Sequence, residues 1–126
     1  MISETQLDTS DGLKLYGWTR QPAGQPKGMI ALVHGMGEHS RRYDRLTEYW
    51  ESCGYASAGF DLRGHGRSEG KRGHTASYDI LMDDIAIYLD WVANQCPRVP
   101  VTLYGHSLGG NLVLNYVIRG QPALAR

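Results

Sequence analysis

Apolar and polar positions along the chain change period several times, and each change marks an element. Residues 13–20 alternate in the sense of a half-buried strand. Thr9-Ser10-Asp11-Gly12 before them is turn chemistry with an Asp-Gly pair. Residues 1–28 therefore predict a hairpin, which Pro22 and Pro26 end. Met29-Ile30-Ala31-Leu32-Val33 is a short continuous apolar run, the pattern of a parallel strand buried on both faces. Residues 41–52 predict a helix, with Tyr43, Leu46, Trp50 and Cys53 on one face and Gly54 as its stop. Residues 55–60 are small and apolar and predict a second buried strand. Residues 78–94 predict a longer helix, with Tyr78, Leu81, Ile85, Tyr88, Leu89 and Val92 on one stripe and Asp79, Asp83 and Asp90 off it. Pro97 and Pro100 close that unit. Residues 101–104 predict a third buried strand, and residues 111–119 a helix stopped by Gly120 and Pro122.

The order is a hairpin, then β-α-β-α-β-α. Such alternation predicts the α/β class, a parallel sheet covered by helices after an antiparallel first hairpin. No internal repeat or linker divides the 126 residues, and their length suits one domain.

Composition narrows the function. Thirteen Lys and Arg balance thirteen Asp and Glu, which argues against a nucleic-acid partner. No apolar run reaches the ~20 residues of a membrane span, and the polar first residues predict no signal peptide. Cys53 and Cys96 fit neither a disulfide framework nor metal spacing, so reduced thiols and a cytoplasmic location are expected. No Walker pattern, HExxH or zinc spacing occurs, and neither a cofactor nor a metal is implied.

Chemistry concentrates in two glycine-rich turns. Gly105-His106-Ser107-Leu108-Gly109 fits G-x-S-x-G between a predicted strand and a predicted helix. A turn that tight strains the serine backbone and needs small neighbours, supplied by Gly105, Gly109 and Gly110. It would lift the Ser107 hydroxyl above the sheet, with the Leu108 N–H placed to donate to an oxyanion. His34-Gly35-Met36-Gly37 follows the preceding parallel strand and offers the Met36 N–H as a second donor. His34, at a strand end, suits a loop brace better than a base. A third segment, residues 61–74, collects Arg63, Arg67, Lys71 and Arg72 with His65 and His74. It reads as a loop held by Asp61 and Arg63 and turned by Gly64 and Gly66, in preference to an anion site.

With these residues in view, the chain resembles the monoacylglycerol lipase and lysophospholipase group of α/β-hydrolases, which borders on serine aminopeptidases and other esterases. The resemblance rests on His-Gly-Met-Gly-Glu-His at 34–39 with Arg42-Tyr43, on Asp-Leu-Arg-Gly-His-Gly-Arg-Ser at 61–68, and on Gly-His-Ser-Leu-Gly-Gly at 105–110. It implies Ser107 as nucleophile, the Met36 and Leu108 N–H groups as oxyanion hole, and an acyl ester or lipid as substrate. In this fold the acid and the histidine follow the serine. Here 19 residues follow Ser107, and none is Asp, Glu or His. The chain is therefore expected to be the N-terminal half of the fold, lacking acid, base and cap, and weak or inactive alone. His106 abuts Ser107 but should point elsewhere, so neither it nor His34 is expected to replace the base. The other reading is a non-catalytic fragment or self-associating module. The strand at 101–104 should then lie at a sheet edge, and a homodimer or association with a missing C-terminal half is expected.

Overall fold

The computed structural model describes residues 1–120. Strands β1 (Ile2–Asp8) and β2 (Lys14–Arg20) pair antiparallel as the predicted hairpin. Thr9 fixes its turn: the Thr9 hydroxyl accepts the Leu13 N–H at 2.8 Å and donates to Asp11 at 2.7 Å. Strands β3 (Met29–Val33), β4 (Ala56–Phe60) and β5 (Val101–Gly105) run parallel, and β4 also pairs antiparallel with β2. The sheet order is β1-β2-β4-β3-β5. The chain leaves β3 for β4 on one side and later returns to β5 on the other. The C-terminal ends of β3 and β5 thus form the switch point at which open α/β sheets place their ligands.

Alternation along β3 explains the layers. Ala31 and Val33 face one core with helices α2 (Tyr78–Gln95) and α3 (Leu108–Ile118). Leu32 faces the other with Trp18, against which Tyr43, Trp50 and Tyr104 pack. Tyr88 locks α2 to the sheet, its hydroxyl directed at the carbonyls of Leu32 (3.1 Å) and Ala58 (2.8 Å).

Three expectations are corrected. Residues 41–52 are not one helix: a 3-10 turn, Ser40–Tyr43, leads into α1 (Asp44–Ser52). Ser40 is pinned there, because its N–H and hydroxyl both donate to Asp61 at 2.7 Å, and the tighter turn lets the chain bend into α1. The last helix starts at Leu108 rather than 111, directly after Ser107, because glycines at 109 and 110 fit inside its crowded first turn. Strand β5 is not buried on both faces. Only Val101 is buried in it, since among the described residues β5 pairs with β3 alone and lies at the sheet edge. Gly120 adopts φ +75 at the end of α3, whereas Pro122 lies outside the described residues.

The basic segment is the braced loop that was expected. Arg63, 6% exposed, makes paired bonds to Asp84 (2.7 and 2.9 Å) and to Asp11 (2.8 and 2.9 Å). It thereby ties the hairpin turn and α2 to the loop after β4. Asp61 accepts the Arg67 N–H at 2.9 Å, and Gly64 and Gly66 turn the chain at φ +73 and +49. Cys53 and Cys96 are free, half-buried and at the ends of α1 and α2.

Candidate active site

The register of the parallel strands builds the site. Val33 pairs with Gly105, so the loop after β3 and the turn after β5 leave the sheet at the same level. The His106 N–H donates to the Val33 carbonyl at 3.2 Å and joins the two exits. Ser107 follows with φ 55 and ψ −117. Among the described residues no other non-glycine has a positive φ. That conformation costs of order 1–3 kcal/mol, and it persists because the surroundings leave no other path.

Those surroundings are backbone. A Cβ on Gly105 would lie 2.5 Å from the Gly109 carbonyl oxygen, and one on Gly109 would lie 2.0 Å from that of Val33. Helix α3 therefore lies directly against the ends of β3 and β5, and its amino end points at Ser107. A Cβ on Gly35 would come within 3.3 Å of the Ser107 Cβ, so the loop after β3 touches the serine. Among the described residues no acceptor takes the N–H of Met36 or of Leu108, and none engages the Ser107 hydroxyl. A serine hydroxyl in this setting can attack a carbonyl, and unpaired N–H groups aimed at the resulting anion would hold it.

The histidines divide clearly. His34 is fully buried. Its Nε2 accepts the Leu62 N–H at 2.9 Å, so its Nδ1 carries the proton and donates to the Gly35 carbonyl at 2.7 Å. With both nitrogens engaged, it braces the loop and is not free to act as a base. Burial pushes its pKa below the ordinary 6.5, opposed by the bond to Gly35. The unfolded chain then takes up a proton near pH 6.5 that the folded chain resists. The stability contributed by neutral His34 is thus present above that pH and is lost as pH falls. The urea midpoint is expected to drop on acidification from about pH 7 toward 5, and His34→Asn to flatten that slope. An identical slope in the variant would remove His34 as its source. His106 is exposed, 3.5 Å from Glu38 through Nδ1. His65 is buried, its Nδ1 donating to the Arg63 carbonyl at 3.0 Å, with its ring 5.4 Å from that of His34.

Sequence reasoning assigned no role to Glu38. Its Oε1 accepts the Gly35 N–H at 2.6 Å and the Tyr43 hydroxyl at 2.5 Å, so one carboxylate joins the loop after β3, the 3-10 turn and His106. Burial pushes the Glu38 carboxyl up, but the bonds from Tyr43 and Gly35 outweigh it and hold the group below the usual range. A loop residue bears no periodicity that could have flagged it. Asp84 was also missed, although the apolar stripe through Leu81, Ile85 and Tyr88 leaves position 84 on the buried side. Among the described residues no cluster suits a metal ion, and no helix is long and apolar enough to cross a membrane.

Comparison with known proteins agrees with this fold. The profile of the family described as serine aminopeptidase, S33, matches residues 24–126. A monoacylglycerol lipase from Mycolicibacterium smegmatis is 36% identical over 123 residues, covering 94% of this chain and 44% of that protein. A highly thermostable carboxyl esterase from Bacillus coagulans, solved in complex with glycerol, superposes with a TM-score of 0.88. It is 26% identical over 98% of this chain and 42% of its own. A soluble variant of the Saccharomyces cerevisiae monoglyceride lipase, solved with a substrate analogue, gives 0.85 at 28% identity, covering 96% and 41%. The chain thus spans less than half the length of each of these relatives.

Proposed function

Since the chain belongs to the serine aminopeptidase S33 family of α/β-hydrolases, we propose that Ser107 is the nucleophile of a serine hydrolase of carboxylic esters. Its substrates are monoacylglycerols or lysophospholipids. The observation that carries this reading is the strained Ser107 backbone between free N–H groups at a switch point. The similarity to monoacylglycerol lipases supports the substrate class.

In this mechanism the Ser107 hydroxyl attacks the ester carbonyl and gives its proton to a general base. The Met36 and Leu108 N–H groups receive the charge of the tetrahedral intermediate. Collapse expels the alcohol, leaves an acyl group on Ser107, and water then releases the acid. Residues 108–126 contain no Asp, Glu or His, and both ring nitrogens of His34 are engaged, so neither supplies the base; in this reading the base and acid lie outside residues 1–126. The two free thiols favour a reducing compartment, the cytoplasm.

A fluorophosphonate probe tests the assignment. It should label the protein that carries base and acid, with the adduct mapping to Ser107. A folded, unlabelled protein, or an adduct on another residue, would overturn it.

A second reading concerns the 126 residues alone. Strand β5 has one paired neighbour among the described residues, and α3 exposes Leu114 (59%), Val117 (44%) and Ile118 (71%). An open strand edge beside an apolar helix face favours association, with a second copy or with the segment that supplies the triad. Light scattering at micromolar concentration is expected to show a dimer of the isolated chain. A soluble monomer that binds no hydrophobic dye would exclude self-association.

A further inference from the structure

The four methionines fall into two classes. Met29 and Met82 are core residues, 1% and 4% exposed, while Met1 and Met36 are 86% and 62% exposed. Met1 is remote from the site, at the start of the chain beside Gln21 and Glu51. Met36 sits on the loop that touches Ser107. It lines a cavity of about 270 Å³ with Glu38, His65 and Arg72, and a smaller one with Leu62, Leu81 and Leu108. Its thioether is therefore exposed on the loop that meets Ser107, on the residue proposed above to give its N–H to the oxyanion. Neither the fold nor the reaction requires a methionine there. The loop uses the backbone of residue 36, and the side chain is largely free of packing.

We propose that Met36 is an oxidation site through which a peroxide silences the enzyme reversibly. This rests on the reading of Ser107 and the Met36 N–H given above. A sulfur lone pair attacks one peroxide oxygen as the O–O bond breaks. An S–O bond forms, and the departing oxygen takes up a proton and leaves as water (or as an alcohol, from an organic peroxide). Sulfur is oxidised by two electrons and the peroxide is reduced by two. A methionine sulfoxide reductase with a thiol donor reverses the step.

The consequence follows from charge and shape. A sulfoxide oxygen bears a strong partial negative charge, the same sign as the oxyanion that the Met36 and Leu108 N–H groups receive. It also demands hydration where an apolar acyl ester must dock, and it changes a flexible apolar side chain into a polar one. The buried Met29 and Met82 are shielded from the same reagent, and oxidation at Met1 leaves the site untouched.

Graded hydrogen peroxide, applied to the protein that carries base and acid, tests the proposal. Peptide mass spectrometry reads the oxygen gained at each methionine, and ester turnover is followed in parallel. Met36 should oxidise at least about tenfold faster than Met29 and Met82, and turnover should fall about tenfold in step with it. The reductase should restore turnover. Met36→Leu, compared only with its own untreated rate, should lose little. Oxidation of Met36 no faster than of Met29 would overturn the site. Complete Met36 oxidation with undiminished turnover and normal fluorophosphonate labelling of Ser107 would overturn this proposal alone. Absence of labelling before peroxide would overturn the underlying assignment of Ser107, and the proposal with it.

Discussion

Ser107→Ala is expected to lower ester turnover by about 10⁴- to 10⁶-fold in the protein that carries base and acid, without loss of the fold. The substitution removes the one attacking oxygen and leaves the glycine contacts around it unchanged. Residual turnover would then reflect only the N–H groups of Met36 and Leu108 and the binding of substrate. The measurement is p-nitrophenyl ester hydrolysis by both forms at equal concentration, with circular dichroism to confirm folding. Activity within a few fold of the parent would remove Ser107 from the nucleophile role. Stability separates two effects at the same position. Alanine keeps a Cβ, so the φ of 55 remains strained, whereas Ser107→Gly can adopt that φ freely. The glycine variant is therefore expected to melt above the alanine variant, although both are inactive. The strain released, of order 1–3 kcal/mol, exceeds the roughly 0.5–1 kcal/mol that glycine's chain entropy costs.

Gly109→Ala should be severely damaging to the fold. The new Cβ would sit 2.0 Å from the Val33 carbonyl oxygen and 2.6 Å from that of His34. Both are backbone atoms at the end of a central strand, so no rotamer change relieves the contact. Overpacking of ordinary side chains costs about 1–3 kcal/mol. Here α3 must move off β3, and the expected cost is at or above about 3 kcal/mol, a large share of a typical stability of about 5–15 kcal/mol. Urea denaturation of the soluble fraction measures it, and poor recovery of folded protein is the expected companion. Gly110→Ala is the control on the same helix, because its Cβ would meet the Gly105 carbonyl group no closer than 3.3 Å at its oxygen. Equal midpoints for the two alanine variants would mean that α3 is not held against β3 as described.

Much of this site was legible in the chain because its signals are local. Glycines at 105, 109 and 110 around a serine, after an apolar strand and before a helix, can serve one tight turn. The structure places that turn and the loop of His34 to Gly37 side by side, as their positions after parallel strands implied. His34 was read as a brace from its place at a strand end, and its two ring contacts agree. The first turn of α3 was read three residues too late. Two consecutive glycines argue against a helix by intrinsic propensity, and their expected role as small neighbours of the serine turn is met inside the first turn of α3, against Val33 and Gly105.

The roles of Glu38 and Asp84 were not legible, because they depend on what arrives from far along the chain. Glu38 works by holding Gly35, Tyr43 and the neighbourhood of His106 together, and Asp84 by meeting Arg63, itself bound to Asp11. Periodicity reports which face of an element is apolar. It does not report which buried carboxylate will find a partner 21 residues away. The sequence by itself determined the α/β class, the order of the elements and the serine turn, because backbone sterics and side-chain period act over a few residues. The tertiary structure alone decided the sheet order β1-β2-β4-β3-β5, the register that sets Val33 beside Gly105, and the polar contacts that fix the loop of Met36. Those depend on pairing between strands tens of residues apart, where the free energy of closing the core selects one arrangement among many that satisfy the same local pattern.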